Sequence, residues 1–96
     1  GSSIAYAASK AALVNMTRNL GGGLGPEVRV NAVAPGHTQT AWTEGWPEAR
    51  KRFAEETAVL KRRAKPEDIA EVVLFLLAGG AMITGQTIIA DGGMTL

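Results

Sequence analysis

The 96-residue sequence predicts an α/β fold built from a long helix, a strand, a loop, two helices and a closing strand. Three observations predict it. Residues 4–20 carry small and apolar side chains at helical spacing. Residues 28–34 form a short β-branched run that closes on Pro35-Gly36. Pro66-Glu67-Asp68 opens a second apolar helix that leads into a strand over residues 86–90. A helix that passes through a short turn into a buried strand is half of a βαβ unit, the building block of parallel sheets.

The first helix is predicted over residues 4–20, with Ser2 or Ser3 as its N-cap. Ala5, Ala8 and Ala12 form one stripe of small side chains, and Ala7 and Ala11 a second, so a helix or a cofactor can approach the backbone closely. Leu13, Met16 and Leu20 continue an ordinary apolar face. At Gly21-Gly22-Gly23 the helix is expected to end or fray, since each Gly costs about 1 kcal/mol against Ala in a helix interior. Gly21 to Gly25 does not complete G-x-G-x-x-G, and no strand precedes it, so this is a helix stop rather than a phosphate loop.

At the head of this helix stands Tyr6-x-x-x-Lys10. Residues four apart share a helical face, so a phenol and an ammonium there can point into the same space. An ammonium about 4–5 Å away at an effective dielectric near 20 favours a tyrosinate by roughly 4 kcal/mol, which suits a phenol to exchange protons with an alcohol or carbonyl. The same spacing also suits an interfacial tyrosine beside a surface lysine.

After Pro26 the strand over residues 28–34 alternates Val28, Val30 and Ala32 with Arg29 and Asn31. Ligands of open parallel sheets sit beyond the C-terminal strand ends, where Pro35-Gly36-His37-Thr38-Gln39-Thr40 falls. It offers a Gly for close approach and two hydroxyls for a polar ligand; it also suits a plain turn with Thr capping the next element. His37 is the only histidine, so it builds no metal site with a second imidazole, and no metal is expected. Trp42 and Trp46 occupy a loop-like stretch that either covers an apolar substrate or packs the next helix onto the body. Pro47 opens that strongly polar helix, which is expected to run to about Leu60. Residues 61–65 read as a charged, solvated connector.

Pro66, with Glu67 and Asp68 on the positive end of the dipole, starts the last helix. Its core face is predicted as Ile69, Ala70, Val73, Leu76 and Leu77, with Val72, Leu74 and Phe75 making it apolar nearly all round. Gly79-Gly80, Gly85 and Gln86 divide the uncharged stretch that follows Glu71, so no piece reaches the roughly 20 apolar residues a membrane span needs.

Ten basic against nine acidic residues, a net charge of +1, argue against nucleic acid or an anionic membrane as the main partner. The absence of Cys leaves no disulfide framework and no thiolate zinc site. Because the chain starts with Gly and enters a helix almost at once, it is expected to be cut from a longer protein.

Taken together, Tyr6-x-x-x-Lys10 with Ser9, then VRVNAVAPGHTQT, then PEDIA and ITGQTIIADGG, resemble the C-terminal part of the short-chain dehydrogenase/reductase family over nearly the whole chain. The resemblance implies that residues 1–96 are the C-terminal part of one Rossmann-like, doubly wound, dinucleotide-binding catalytic domain. It implies an oxidoreductase using NAD or NADP on a small carbonyl/alcohol substrate, cytoplasmic, and a homodimer or homotetramer through the first helix and the final helix–strand pair. By position, Tyr6 matches the catalytic acid/base. Lys10 matches the residue that lowers the Tyr pKa in the family and binds the nicotinamide ribose. Pro35 and Gly36 match the turn under the nicotinamide. Thr38 matches the position whose backbone meets the carboxamide, and Thr40 the one whose hydroxyl reaches carboxamide or phosphate. Trp42 and Trp46 fall in the variable substrate loop. The family's Gly-rich dinucleotide turn, its Asn-Ala-Gly stretch and its catalytic Ser lie upstream of Tyr6, and Ser2 and Ser3 are too close to Tyr6 to replace that Ser. These 96 residues alone are therefore expected neither to bind dinucleotide tightly nor to turn over. The competing expectation is a non-catalytic oligomerisation scaffold derived from the same fold.

Overall fold

The computed structural model describes residues 3–96; the Ser2 cap candidate lies outside them. The chain forms two compact units. One comprises the described residues up to Ala32 with Gly80–Ile88, the other Val33–Gly79 with Ile89–Leu96.

The first unit is dominated by α1, Ile4–Leu24. Ser3 is its N-cap, its Oγ accepting from the Tyr6 N–H at 3.1 Å and so satisfying one of the orphan donors of the first turn. The helix does not stop at Gly21: it runs through all three glycines to Leu24. Gly21 and Thr17, one turn apart, are the buried positions of α1, and Gly21 lies flat against the backbone of Gly85. Close backbone contact offsets the poor propensity that made this stretch read as a stop. The Leu13, Met16 and Leu20 face stays exposed among the described residues.

The strand expected over residues 28–34 begins later, as β1, Ala32–Pro35. Residues 29–31 are held mainly by side chains, with the Gly85 N–H donating to Val30 O (2.7 Å) as a backbone bond. Arg29 Nη1 donates to the carbonyls of Gly80 and Ile83 (3.0 and 3.3 Å), Asn31 Nδ2 donates to Ile83 O (2.9 Å), and Asn31 Oδ1 accepts from Gln86 N–H (3.0 Å). These bonds satisfy the segment without a regular ladder, which alternation of side chains does not reveal. β1 pairs with β2, Thr87–Ala90, in a two-stranded sheet. The Ala32 N–H donates to Gln86 O and the Gly36 N–H to Ala90 O; both partners advance together between these rungs, so the pairing is parallel.

In the second unit the tryptophan stretch is not a loop throughout. Ala41–Glu44 is a one-turn helix, α2, fastened by buried Thr43, whose Oγ1 accepts from Thr40 N–H and donates to Thr38 O at 2.8 Å. Pro47 is the N-cap of α3, Glu48–Thr57, which ends three residues before the expected Leu60 because Ala58 turns extended and is buried. Lys61 sits at φ 56, in the left-handed region that disfavours a Cβ. Lys61→Gly is expected to raise stability by about 1 kcal/mol, read as a higher denaturant midpoint at unchanged m-value. The Lys61 Nζ bond to Glu56 O, which is exposed, offsets little of this.

α4, Pro66–Ala78, starts as expected with Pro66 at its head. The carboxylate of Asp68 reaches back to the Lys65 N–H at 2.7 Å and takes Arg62 in a two-pronged pair (Nη1–Oδ2 2.7 Å, Nη2–Oδ1 3.2 Å). The hydrogen bond from Arg62, then that from the Lys65 N–H, lowers the Asp68 pKa to about 2. A depressed folded-state pKa contributes stability above the unfolded value near 3.9 and loses it as pH falls toward 2. Asp68→Asn should therefore flatten the acid limb of the stability profile between about pH 4 and pH 2, modestly, because both groups face solvent.

The inward face of α4 differs from the expected one. Leu76 is buried and Ile69 and Val72 half-buried, whereas Ala70, Val73 and Leu77 are exposed among the described residues. A helix apolar all round carries no phase in its sequence, so the choice of face falls to tertiary packing. Arg63 corrects the picture of residues 61–65 as a solvated connector: it is 8% exposed.

Candidate active site

The site residues proposed from sequence fall in both units. In the first, Tyr6 and Lys10 lie one turn apart on the same face of α1, with Lys10 Nζ 5.3 Å from the centroid of the Tyr6 ring. The backbone here is secured from both sides: Tyr6 N–H donates to Ser3 Oγ, and Ser9 Oγ donates to Tyr6 O at 2.7 Å. Tyr6 is 55% exposed, so its phenol lies on a helix surface. A phenol and an ammonium on one accessible face form a donor–acceptor pair suited to hydroxyl and carbonyl oxygens.

In the second unit, Pro35 ends β1 and Gly36 begins the bend. A Cβ on Gly36 would lie 2.7 Å from Asp91 Cα, so the close approach that demands a glycine here is made to the chain itself. Thr38 Oγ1 donates to Gly36 O at 3.1 Å, and Thr38 is bridged in parallel with Ala64. Thr40 is the N-cap residue of α2, its carbonyl accepting from the N–H groups of Thr43 and Glu44.

The two tryptophans separate. Trp42 is 85% exposed, whereas Trp46 is half-buried, with the Arg50 guanidinium 3.8 Å above its ring and the His37 imidazole edge-on at 5.4 Å. His37 thus takes part in an aromatic contact in the bend.

Two further residues escaped sequence reasoning. Asp91 holds the C-terminal turn: Oδ1 accepts from Gly93 N–H, and Oδ2 from the N–H and hydroxyl of Thr95. The Thr95 hydroxyl bond, the largest cause, together with the backbone N–H groups, keeps its carboxyl below the ordinary range. The Asp-Gly-Gly that closes the last strand was the available signal. Arg63 had none, since a basic residue in a basic run reads as facing outward.

Comparison with known proteins agrees with this architecture. A family model described as enoyl-(acyl carrier protein) reductase matches residues 1–95. The 3-oxoacyl-[acyl-carrier-protein] reductase FabG of Thermotoga maritima is 44% identical over 93 residues, covering 95% of this chain and 38% of that protein. The short-chain dehydrogenase/reductase homolog YusR of Bacillus subtilis is 40% identical over 96 residues, covering all of this chain and 73% of that protein. Among solved structures, 4-hydroxyisoleucine dehydrogenase complexed with NADH superposes with a TM-score of 0.89 at 32% identity, over 95% of this chain and 39% of that one. With the likeness carried along its length by a family model, by sequence identity and by a shared partial Rossmann fold, the chain belongs to the short-chain dehydrogenase/reductase family.

Proposed function

We propose that residues 1–96 act as the C-terminal part of a dinucleotide-binding catalytic domain in an oxidoreductase that interconverts a carbonyl compound and its alcohol with NAD or NADP. The observation that carries the proposal is the Tyr6–Lys10 pair on one exposed face of α1. Each unit, taken by itself, carries chemistry suited to such a cofactor: in the first an ammonium for ribose hydroxyls and a phenol for the substrate oxygen, in the second a Pro-Gly bend at a strand end. When bound, the nicotinamide supplies or accepts hydride at carbon.

The chain's own residues then divide the remaining work. Tyr6 gives its phenolic proton to the developing alkoxide in reduction and takes it back in oxidation. Lys10 holds its positive charge beside the phenol ring and hydrogen-bonds the ribose. Pro35 and Gly36 would supply the turn that receives the nicotinamide. Thr38, whose hydroxyl is engaged with Gly36 O, serves through its backbone, and Thr40 holds the carboxamide or phosphate end. Trp42 and Trp46 border the substrate, and their apolar rings favour an apolar one.

The exposed Leu13, Met16 and Leu20 of α1 and Leu74 and Leu77 of α4 support a homo-oligomer, and the family likeness supports a cytoplasmic enzyme. The test is consumption of NADH or NADPH by the full-length protein against a panel of aldehydes and ketones. Oxidation above background carries the proposal; none with any carbonyl and either cofactor, alongside intact assembly, favours a scaffold. The isolated 96 residues are expected to give no measurable rate.

A further inference from the structure

The ionic side of α3 carries a feature that the proposed chemistry does not use. Arg63 is 8% exposed, yet its Nε and Nη1 donate no hydrogen bond among the described residues. Its Nε lies 3.6 Å from Glu55 Oε1, an ion-pair distance too long for a good hydrogen bond. A buried guanidinium so poorly satisfied is costly, and such groups need an explanation. A free anion does not supply it, because both nitrogens are shielded from solvent.

The surroundings indicate what the group holds in place. Next to Arg63 in the chain, Ala64 N–H donates to His37 O and Ala64 O accepts from Gln39 N–H, so this segment is fastened to the 35–40 bend. Glu55 belongs to α3, and the first turn of α3 carries Arg50, stacked on Trp46. Trp46 also meets His37, in the bend, in a T-shaped contact at 5.4 Å. α3 has little apolar packing to fix it: Ala54 is its only buried apolar residue among those described and Phe53 is 62% exposed, and the Lys51 contacts to Glu44 and Glu48, as long as the Arg63–Glu55 one, reach carboxylates that face solvent more than Glu55 does. The attraction between buried Arg63 and Glu55 thus adds to sparse apolar packing in holding α3.

We propose that Arg63 is a positioning residue: through Glu55 it sets α3 against the 35–40 bend and so fixes Trp46 as a rigid wall of the substrate site, while exposed Trp42 remains the movable side. The substrate part of this rests on the reading of residues 42–46 as the substrate loop; the positioning of Trp46 does not.

The test uses full-length protein labelled with 5-fluorotryptophan, the Trp46 and Trp42 resonances assigned by their loss in Trp46→Phe and Trp42→Phe. In Arg63→Met the solvent isotope shift of Trp46 is expected to rise toward that of Trp42. KM for the best carbonyl substrate should rise about tenfold with kcat much less affected, as for loss of orientation rather than of chemistry. Arg63→Lys should recover part of both. Glu55→Asp, which keeps the charge and shortens its reach, should shift Trp46 in the same direction to a smaller degree, and covers the case in which Arg63→Met does not fold. Glu55→Gln should lower the melting temperature more than Arg63→Met, because it leaves the buried cation alone. An unmoved Trp46 signal in Arg63→Met and Glu55→Asp overturns the proposal whether or not the protein is an oxidoreductase. A moved signal with unchanged KM also overturns it, since Trp46 would then be no wall of the substrate site.

Discussion

Tyr6→Phe is expected to lower kcat of the full-length protein by about 10²–10⁴-fold, the usual loss when a general acid–base is removed, with melting temperature unchanged. The structure separates the two effects. Tyr6 is 55% exposed, and the bonds that anchor it run through its backbone: its N–H to Ser3 Oγ and its carbonyl to Ser9 Oγ. Phe keeps those bonds and the ring beside Lys10, and deletes only the hydroxyl. A proton transferred in the transition state should make kcat and kcat/KM fall together, whereas a binding role would raise KM alone. Retained turnover in a folded Tyr6→Phe protein would sink the assignment of the acid/base.

Gly21→Ala is expected to destabilise, while the chemically identical changes at the next two positions stabilise. A Cβ at Gly21 would lie 2.6 Å from Gly85 N and 2.7 Å from Gly85 Cα, both backbone atoms. Gly85 cannot yield easily: its φ is +70°, and its N–H donates to Val30 O at 2.7 Å. Overpacking of this kind costs about 1–3 kcal/mol, against a propensity gain of about 1 kcal/mol from Gly to Ala. Cβ atoms on Gly22 and Gly23 meet nothing within 4 Å, so those changes realise up to about 1 kcal/mol each. Urea melts of the three variants check the ordering, and a Gly21→Ala protein as stable as Gly22→Ala would refute the contact.

The contrast among these glycines shows what the sequence could and could not disclose. Propensity gave the correct cost for Gly21-Gly22-Gly23 but the wrong boundary, because the compensating neighbour, Gly85, is distant in the chain. Helix starts were legible where a local bond makes them, at Ser3 and at Pro66 with Asp68. The strand before Pro35 was legible in kind but not in extent, since Arg29 and Asn31 bind backbone carbonyls around residues 80–83, far along the chain. For the candidate site, the shared face of Tyr6 and Lys10 followed from helical periodicity alone. The different fates of Trp42 and Trp46, and the burial of Arg63, did not, because each depends on which side chains tertiary packing brings near.

The fit of Gly36 against Asp91 has a practical consequence for redesign. Diversifying the Pro35-Gly36 dipeptide to alter catalytic selectivity would mostly yield misfolded clones, since any substituent at 36 collides with main-chain atoms. Saturation libraries are better spent at His37, Trp42 and Trp46, with Gly36 and Asp91 held constant as a matched pair.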